Sequence, residues 1–272
     1  MTEIKPGQSV ELLKELHILT QDGRMNQDSR RKLKQVYHLY NFIEPLLNDL
    51  KKNHPGQINL VDHGAGKSYL GFILYDLFFK NLAADKDHIY GIETRNELIE
   101  KSRALQKKLN FENMTFINSS VSQSKNSVII PATVEIVTAL HACDTATDDA
   151  ISFSLLKKAK HIVLVPCCQA EVANLLRQNK KFMLANPLVE IYRHALHTRE
   201  FGSHFTNVLR CLRLEAHGYD VTVTELVGFE HSMKNELIIA TQKNKPTKNA
   251  TERIKALLTE FKIQELQTRF SS

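Results

Sequence analysis

Residues 58–71, Ile-Asn-Leu-Val-Asp-His-Gly-Ala-Gly-Lys-Ser-Tyr-Leu-Gly, constrain this chain more than any other stretch. A β-rich apolar run ends in Asp62, glycines follow at 64 and 66, and an amphipathic run over 68–79 begins at once. That order predicts strand, tight glycine turn, helix. Glycines let the main chain turn sharply and let a ligand approach closer than a Cβ would allow, and the first amides of the helix are free to donate.

Spacing separates the ligand classes that use such a turn. Gly66-Lys67-Ser68 would close a P-loop, but the required first glycine is Val61, inside the strand. A dinucleotide fingerprint needs G-x-G-x-x-G, and here Tyr69 stands where the third glycine belongs. What remains is an acid closing the first strand, G-x-G, and a second acid, Glu93, closing the next strand over 88–92. A carboxylate suits vicinal hydroxyls because it accepts two hydrogen bonds at once. The arrangement resembles the S-adenosylmethionine site of class I methyltransferases. That resemblance implies that Asp62 lies near the methionine end, that Gly64 and Gly66 form the cradle, and that Glu93 takes the ribose hydroxyls.

At 272 residues the chain can bury a full core, and the length suits one α/β domain with helical additions. Four cysteines, two of them adjacent, make a poor disulfide framework, so a reducing, cytoplasmic setting is expected. The first residues lack the apolar stretch of a signal peptide, and the greasiest run, over 69–79, is broken by Asp76 and too short to span a bilayer. No membrane role is expected. The net charge of +6 is modest evidence for a polyanionic partner.

Helical apolar spacing marks 8–19 and 28–52, with Asp28 as N-cap and Pro45 as a kink or break. Residues 1–55 thus read as a helical appendage, 56–245 as a Rossmann-like domain and 246–272 as a C-terminal helix. Arg30, Arg31, Lys32 and Lys34 form a basic cluster on the second helix. Thr94 and Glu97 predict a capping box for a helix over 97–109. Strands follow over 114–118, 134–140 and 161–165, with a helix between the last two. A long helical region over 187–218 carries Arg193, His194, His197, Arg199, His204, Arg210 and Arg213, interrupted by Gly202. A strand over 219–227, a loop and a returning strand over 236–241 complete a seven-stranded, mostly parallel sheet whose last strand is expected to be antiparallel.

In open parallel sheets the chemistry lies beyond the carboxyl ends of the strands. Asp62, Glu93, His141, Cys143, Cys167 and Cys168 all fall there. After the third strand, where many methyltransferases place an acid for the adenine, this chain offers Ser119, Ser120 and Gln123. His141, Cys143 and the Cys167-Cys168 pair are of ligand type, but their spacing matches no zinc ribbon, and no metal is expected. Cys167 is either a thiolate nucleophile of the cytosine-5 kind or a wall of the cofactor pocket. Leu140-His141-Ala142-Cys143, followed by Pro166-Cys167-Cys168-Gln169, with Lys34, Gln35 and His38 upstream and Ser232-Met233-Lys234-Asn235 downstream, is similar to a methyltransferase subgroup. That subgroup includes the tRNA acceptor-stem 2′-O-methyltransferases and the methyltransferase domain of the glutathione-S-transferase C-terminal-domain-containing protein.

The resulting expectation is an S-adenosylmethionine-dependent methyltransferase acting on an RNA hydroxyl or base. Asp62, Gly64, Gly66, Glu93, Ser120 and His141 would hold the cofactor. His141 would serve as base, Lys234 and Asn235 would position the acceptor, and Cys167 would line or attack. The rival readings are a cofactor-binding RNA module without catalysis, a methyltransferase of proteins or small molecules, and a nicotinamide-dependent oxidoreductase.

Overall fold

Short apolar runs bounded by glycine or polar turns alternate with amphipathic ones, and the computed structural model realises them as strands and helices in that order. It describes residues 4–53, 56–81, 86–140, 144–166, 169–179, 181, 186–226 and 236–271. Two helices come first, α1 (Val10–Glu15) and α2 (Gln27–Asn53). The first strand-helix units are β1 (Asn59–His63), α3 (Tyr69–Leu77), β2 (His88–Glu93) and α4 (Asn96–Lys108). Next come β3 (Met114–Asn118), α5 (Val121–Ser124), β4 (Ile136–Leu140), α6 (Thr145–Leu156) and β5 (His161–Val165). The chain ends with α7 (Glu171–Gln178), α8 (Ala195–Ala216), β6 (Tyr219–Glu225), β7 (Glu236–Gln242), α9 (Ala250–Glu260) and α10 (Gln267–Ser271).

The strands form one sheet in the order β3-β2-β1-β4-β5-β7-β6. The first five are parallel, and β7 runs antiparallel to both β5 and β6. This is the expected Rossmann-like sheet. Its strand order reverses between β1 and β4, and that switch point opens a crevice at the strands' carboxyl ends.

Alternation along the strands sorts their side chains between two faces. Leu60, Ile89, Phe116, Ile136 and Val163 pack with α2 and α3 on one face. Val61, Tyr90, Val137, Ile162 and Leu164 pack with α6 on the other. Outside the second face, α7, α8 and α9 build a third cluster around Leu176, Phe205, Leu209 and Ile254. Among the described residues no helix is long and apolar enough to cross a membrane.

Four local expectations are corrected. Pro45 does not break α2, because Ile43 and Leu47 on either side are fully buried and tertiary packing holds the turn. Its first turn is capped from Asn26, whose side-chain oxygen accepts the Ser29 amide at 2.8 Å, while Asp28 lies inside the helix. Thr94 makes no capping box; its hydroxyl donates to Glu93 Oε1 at 3.2 Å, and Arg95 occupies the cap position. Gly202 does not interrupt α8 but lets it pack close: a Cβ there would lie 2.8 Å from the Cα, Cβ and N of Ala173 on α7.

In an exposed helix, glycine to alanine gains about 1 kcal/mol. Here the clash is with backbone, so the sign reverses. Gly202→Ala is expected to lose about 1–3 kcal/mol by urea denaturation; an unchanged or raised midpoint would refute the close packing of α7 on α8.

Candidate functional site

β1 delivers Asp62 to the switch point, opposite Thr138 in the parallel register with β4. The Thr138 hydroxyl donates to Asp62 Oδ1 at 2.6 Å. Asp62 is only 3% exposed, and burial pushes its carboxyl up to about 7 despite that hydrogen bond. After β1 the chain takes positive φ at Gly64 (67°), Gly66 (58°) and Ser68 (52°). The turn is held from β2: the Ala65 amide donates to the Ile92 carbonyl at 3.0 Å, and the Gly66 amide to Glu93 Oε2 at 3.0 Å. A Cβ on Gly66 would come no closer than 3.7 Å to any neighbour, and one on Gly64 no closer than 4.0 Å. The two glycines therefore leave a cradle that side chains would fill.

Glu93, at the end of β2, is 5% exposed. Its carboxylate also accepts from the Arg95 amide (3.0 Å), Nε (3.1 Å) and Nη2 (3.1 Å). Burial alone would raise it; the Arg95 hydrogen bonds and charge, with the Gly66 amide, outweigh that and hold it at about 2. Glu93 is thus a carboxylate at any ordinary pH. By strand alternation it shares its face of the sheet with Asp62. Ser120 caps α5 in a capping box, its Oγ accepting the Gln123 amide at 3.2 Å and its own amide donating to Gln123 Oε1 at 3.4 Å.

His141, Cys143, Cys167, Cys168, Lys234 and Asn235 lie outside the described residues. The residues bounding them are described: Leu140 ends β4, Gln169 follows the cysteine pair, and Glu236 opens β7. The basic residues over 193–213 favour RNA only where they face solvent, and Arg210 and Arg213, 0% and 4% exposed, belong instead to the interior, a correction. Arg193, His194, His197, Arg199 and His204 are exposed as expected.

Sequence reasoning missed Thr138, Arg95 and His63. His63 is fully buried, its ring edge-on to Phe153 at 4.5 Å, with neither nitrogen hydrogen-bonded. Burial, aided by the Lys125 charge, pushes it down to about 3, so it is neutral. Nothing in the local sequence separates it from a solvated strand-end histidine.

Asp62 and His63 tilt stability in opposite directions. Asp62 binds its proton more tightly folded than unfolded, so between about pH 4 and 7 its contribution falls as pH rises. His63 binds its proton less tightly folded, so between about pH 3 and 6.5 its contribution rises. The wild-type profile mixes the two slopes, and the difference from Asp62→Asn isolates one. Relative to that variant, the wild type is expected to lose roughly 2 to 4 kcal/mol from pH 4 to 7 by denaturant titration. A flat difference would refute the desolvated carboxyl.

A protein family described as "Methyltransferase domain" matches residues 31–175, just over half of the chain. The chain is 25% identical over 236 residues to the glutathione S-transferase C-terminal domain-containing proteins of Bos taurus and Mus musculus. The match takes in 80% of this chain and 34% of each relative, so the chain spans about a third of their length. Among solved structures it is similar to magnesium protoporphyrin IX methyltransferase of Synechocystis. There the identity is 15% and the TM-score 0.46, covering 85% of this chain and 94% of that one. The family match falls on β1, the glycine turn and the strand ends that carry Asp62 and Glu93, and the chain belongs to the class I S-adenosylmethionine-dependent methyltransferases.

Proposed function

We propose that this methyltransferase acts on RNA, at a hydroxyl or a base. One observation carries the substrate class: the start of α2 is an exposed basic turn, and the helix is anchored by its other end, so that we infer its basic turns to stand toward the edge that holds Asp62 and Glu93. The far end of α2 pairs with the strands' starts, Asp49 with His161 at 3.9 Å and Lys51 with Asp87 just before β2. Lys34 and Arg30 lie about 22–28 Å back along the helix at 1.5 Å per residue. A five-residue strand such as β1 covers only ~17 Å. Arg30, Arg31, Lys32 and Lys34 are all exposed; with the helix running along the strands, its length carries them past the carboxyl ends, where a phosphate backbone would meet them.

On this reading the glycine cradle and Glu93 orient the cofactor, which supplies the methyl group when bound. The ribose hydroxyls need lone pairs on Glu93 that the Arg95 guanidinium now occupies, so that side chain, 61% exposed, must swing outward. His141 takes the acceptor proton and Lys234 and Asn235 orient the acceptor, with Cys167 beside them; these roles rest on the sequence. Methyl transfer needs little more from the protein than alignment and a proton acceptor.

The test is transfer of labelled methyl into RNA, protein and small-molecule fractions from cells lacking the protein. Label is expected in RNA. Glu93→Ala is expected to weaken S-adenosylhomocysteine binding at least 30-fold, by loss of charge-assisted hydrogen bonds, and Arg95→Ala to tighten it a few-fold. Replacing Arg30, Arg31, Lys32 and Lys34 by Gln should raise KM for RNA and flatten its salt dependence. Label in the protein or small-molecule fraction would discard the RNA assignment.

A further inference from the structure

Arg210, in the middle of α8, is the largest fully buried side chain of the described residues. A buried guanidinium is tolerated only if its five donors are met. All five are. Nε and Nη2 grip Asp148 on α6 at 2.8 and 2.9 Å, and Nη2 also donates to the Asp144 carbonyl at 2.8 Å. Nη1 donates to Gln169 Oε1 and to Asn207 Oδ1, the latter at 3.1 Å. The network goes on: Gln169 Nε2 donates to the Ser203 carbonyl at 2.9 Å, and Asn207 Nδ2 to Glu236 Oε2 at 2.8 Å.

The anchor points share a pattern. Asp144 lies four residues beyond the end of β4, Gln169 four beyond the end of β5, and Glu236 is the first residue of β7. All three stand at the carboxyl edge of the parallel strands, on the β4, β5 and β7 side of the crevice. Asp144 has φ 49° and ψ −121°, a backbone strained by about 1–3 kcal/mol that persists only where its surroundings hold it. Gln169, Ser203, Asn207 and Glu236 also line one wall of a cavity of about 390 Å³ at this edge. None of these contacts touches Asp62, Gly66 or Glu93.

We propose that Arg210 is the positioning residue of the acceptor side: its guanidinium fixes the chain after β4 and after β5 directly, and the start of β7 through Asn207, relative to one another and independently of the cofactor cradle. The catalytic consequence rests on the methyltransferase reading, whereas the fixing of three segments does not. Lysine keeps the charge but cannot span Asp148, Asp144, Gln169 and Asn207 together.

The experiment is amide hydrogen exchange on the full chain, with S-adenosylhomocysteine titration alongside. In Arg210→Lys, amides in 144–149, 169–173 and 236–239 are expected to exchange at least tenfold faster. Those in 59–66 and 88–95, and the cofactor affinity, should stay within twofold of wild type. Faster exchange confined to α8, or an equal rise across the whole sheet, would overturn the proposal. Should Arg210→Lys fail to fold, Asn207→Ala serves. It is expected to release 169–173 and 236–239 but not 144–149, and unchanged exchange in the first two would overturn it. In the methyl-transfer assay with total RNA, Arg210→Lys should lower kcat at least tenfold with KM for S-adenosylmethionine within threefold; an unchanged kcat would refute the catalytic consequence. Wild-type protein that binds no S-adenosylhomocysteine would instead refute the cofactor reading, and exchange would still decide the role of Arg210.

Discussion

A glutamate carboxylate accepting a glycine amide across two strand ends is the contact on which the candidate site depends. Positive φ at Gly64 and Gly66 turns the chain so that the amides of Ala65 and Gly66 face β2, where the Ile92 carbonyl and Glu93 Oε2 take them. On the α3 side the main chain alone closes the turn, the Ser68 amide donating to the Ala65 carbonyl at 2.7 Å, while the Ser68 side chain makes no capping bond and its buried Oγ has no partner. The turn's side-chain anchor comes from β2, so any change at Glu93 alters its shape. Gly71 keeps this possible, because a Cβ there would lie 2.5 Å from the Ser68 Oγ.

Across the switch point the site is held by different physics. On the cofactor side the polar groups are few and main-chain amides do much of the work, with Asp62 kept dry beside a single hydroxyl. On the other side, buried charge meets buried charge. An ion pair such as Arg210 with Asp148 adds little net stability over an apolar pair, since desolvation consumes most of the attraction. What it supplies is geometry, because a planar fork with five donors admits one arrangement of its acceptors. Two sides so built can respond independently: a ligand that displaces Arg95 from Glu93 breaks no bond in the Arg210 network.

The mostly parallel sheet with its antiparallel last strand and the Asp62, G-x-G, Glu93 pattern were legible in the sequence because each rests on short local signals: a β-branched run, a glycine pair, an acid at a strand end. The misreadings are cases where one local signal is overridden by a packing partner or by a competing neighbour. Pro45 should break a helix, but a buried stripe holds α2 across it. Thr94 has capping chemistry, but Glu93 next door is the stronger acceptor. Gly202 looked like an interruption and is a point of close approach to α7. The Arg210 network did leave a trace: Ser203, Asn207, Arg210 and Leu214 recur at 4-3-4 spacing, the spacing of one helix face. That stripe continues into an apolar residue, which marks a polar face turned inward, yet its partners on α6 and after β5 lie some 40 to 60 residues away and no local pattern names them.

Burial of Arg210 and Arg213 also redistributes the case for a polyanionic partner. The net charge of +6 is unchanged by the Arg210–Asp148 pair, since the two cancel, but the exposed basic residues shrink to those just before α8 and along its first half. There Arg193 faces Glu190 at 3.3 Å and Arg199 faces Glu200 at 2.8 Å. Exposed pairs like these add little stability, but each carboxylate offsets the local field that a phosphate would feel. On α2, Arg31 stands 3.6 Å from Asp28, within a run of four cations in five residues. Compared with the start of α8, the density of positive charge along the chain is thus higher at the start of α2. That helix's apolar stripe is buried over the sheet, so an anion bound there is referenced directly to the strands that carry Asp62 and Glu93.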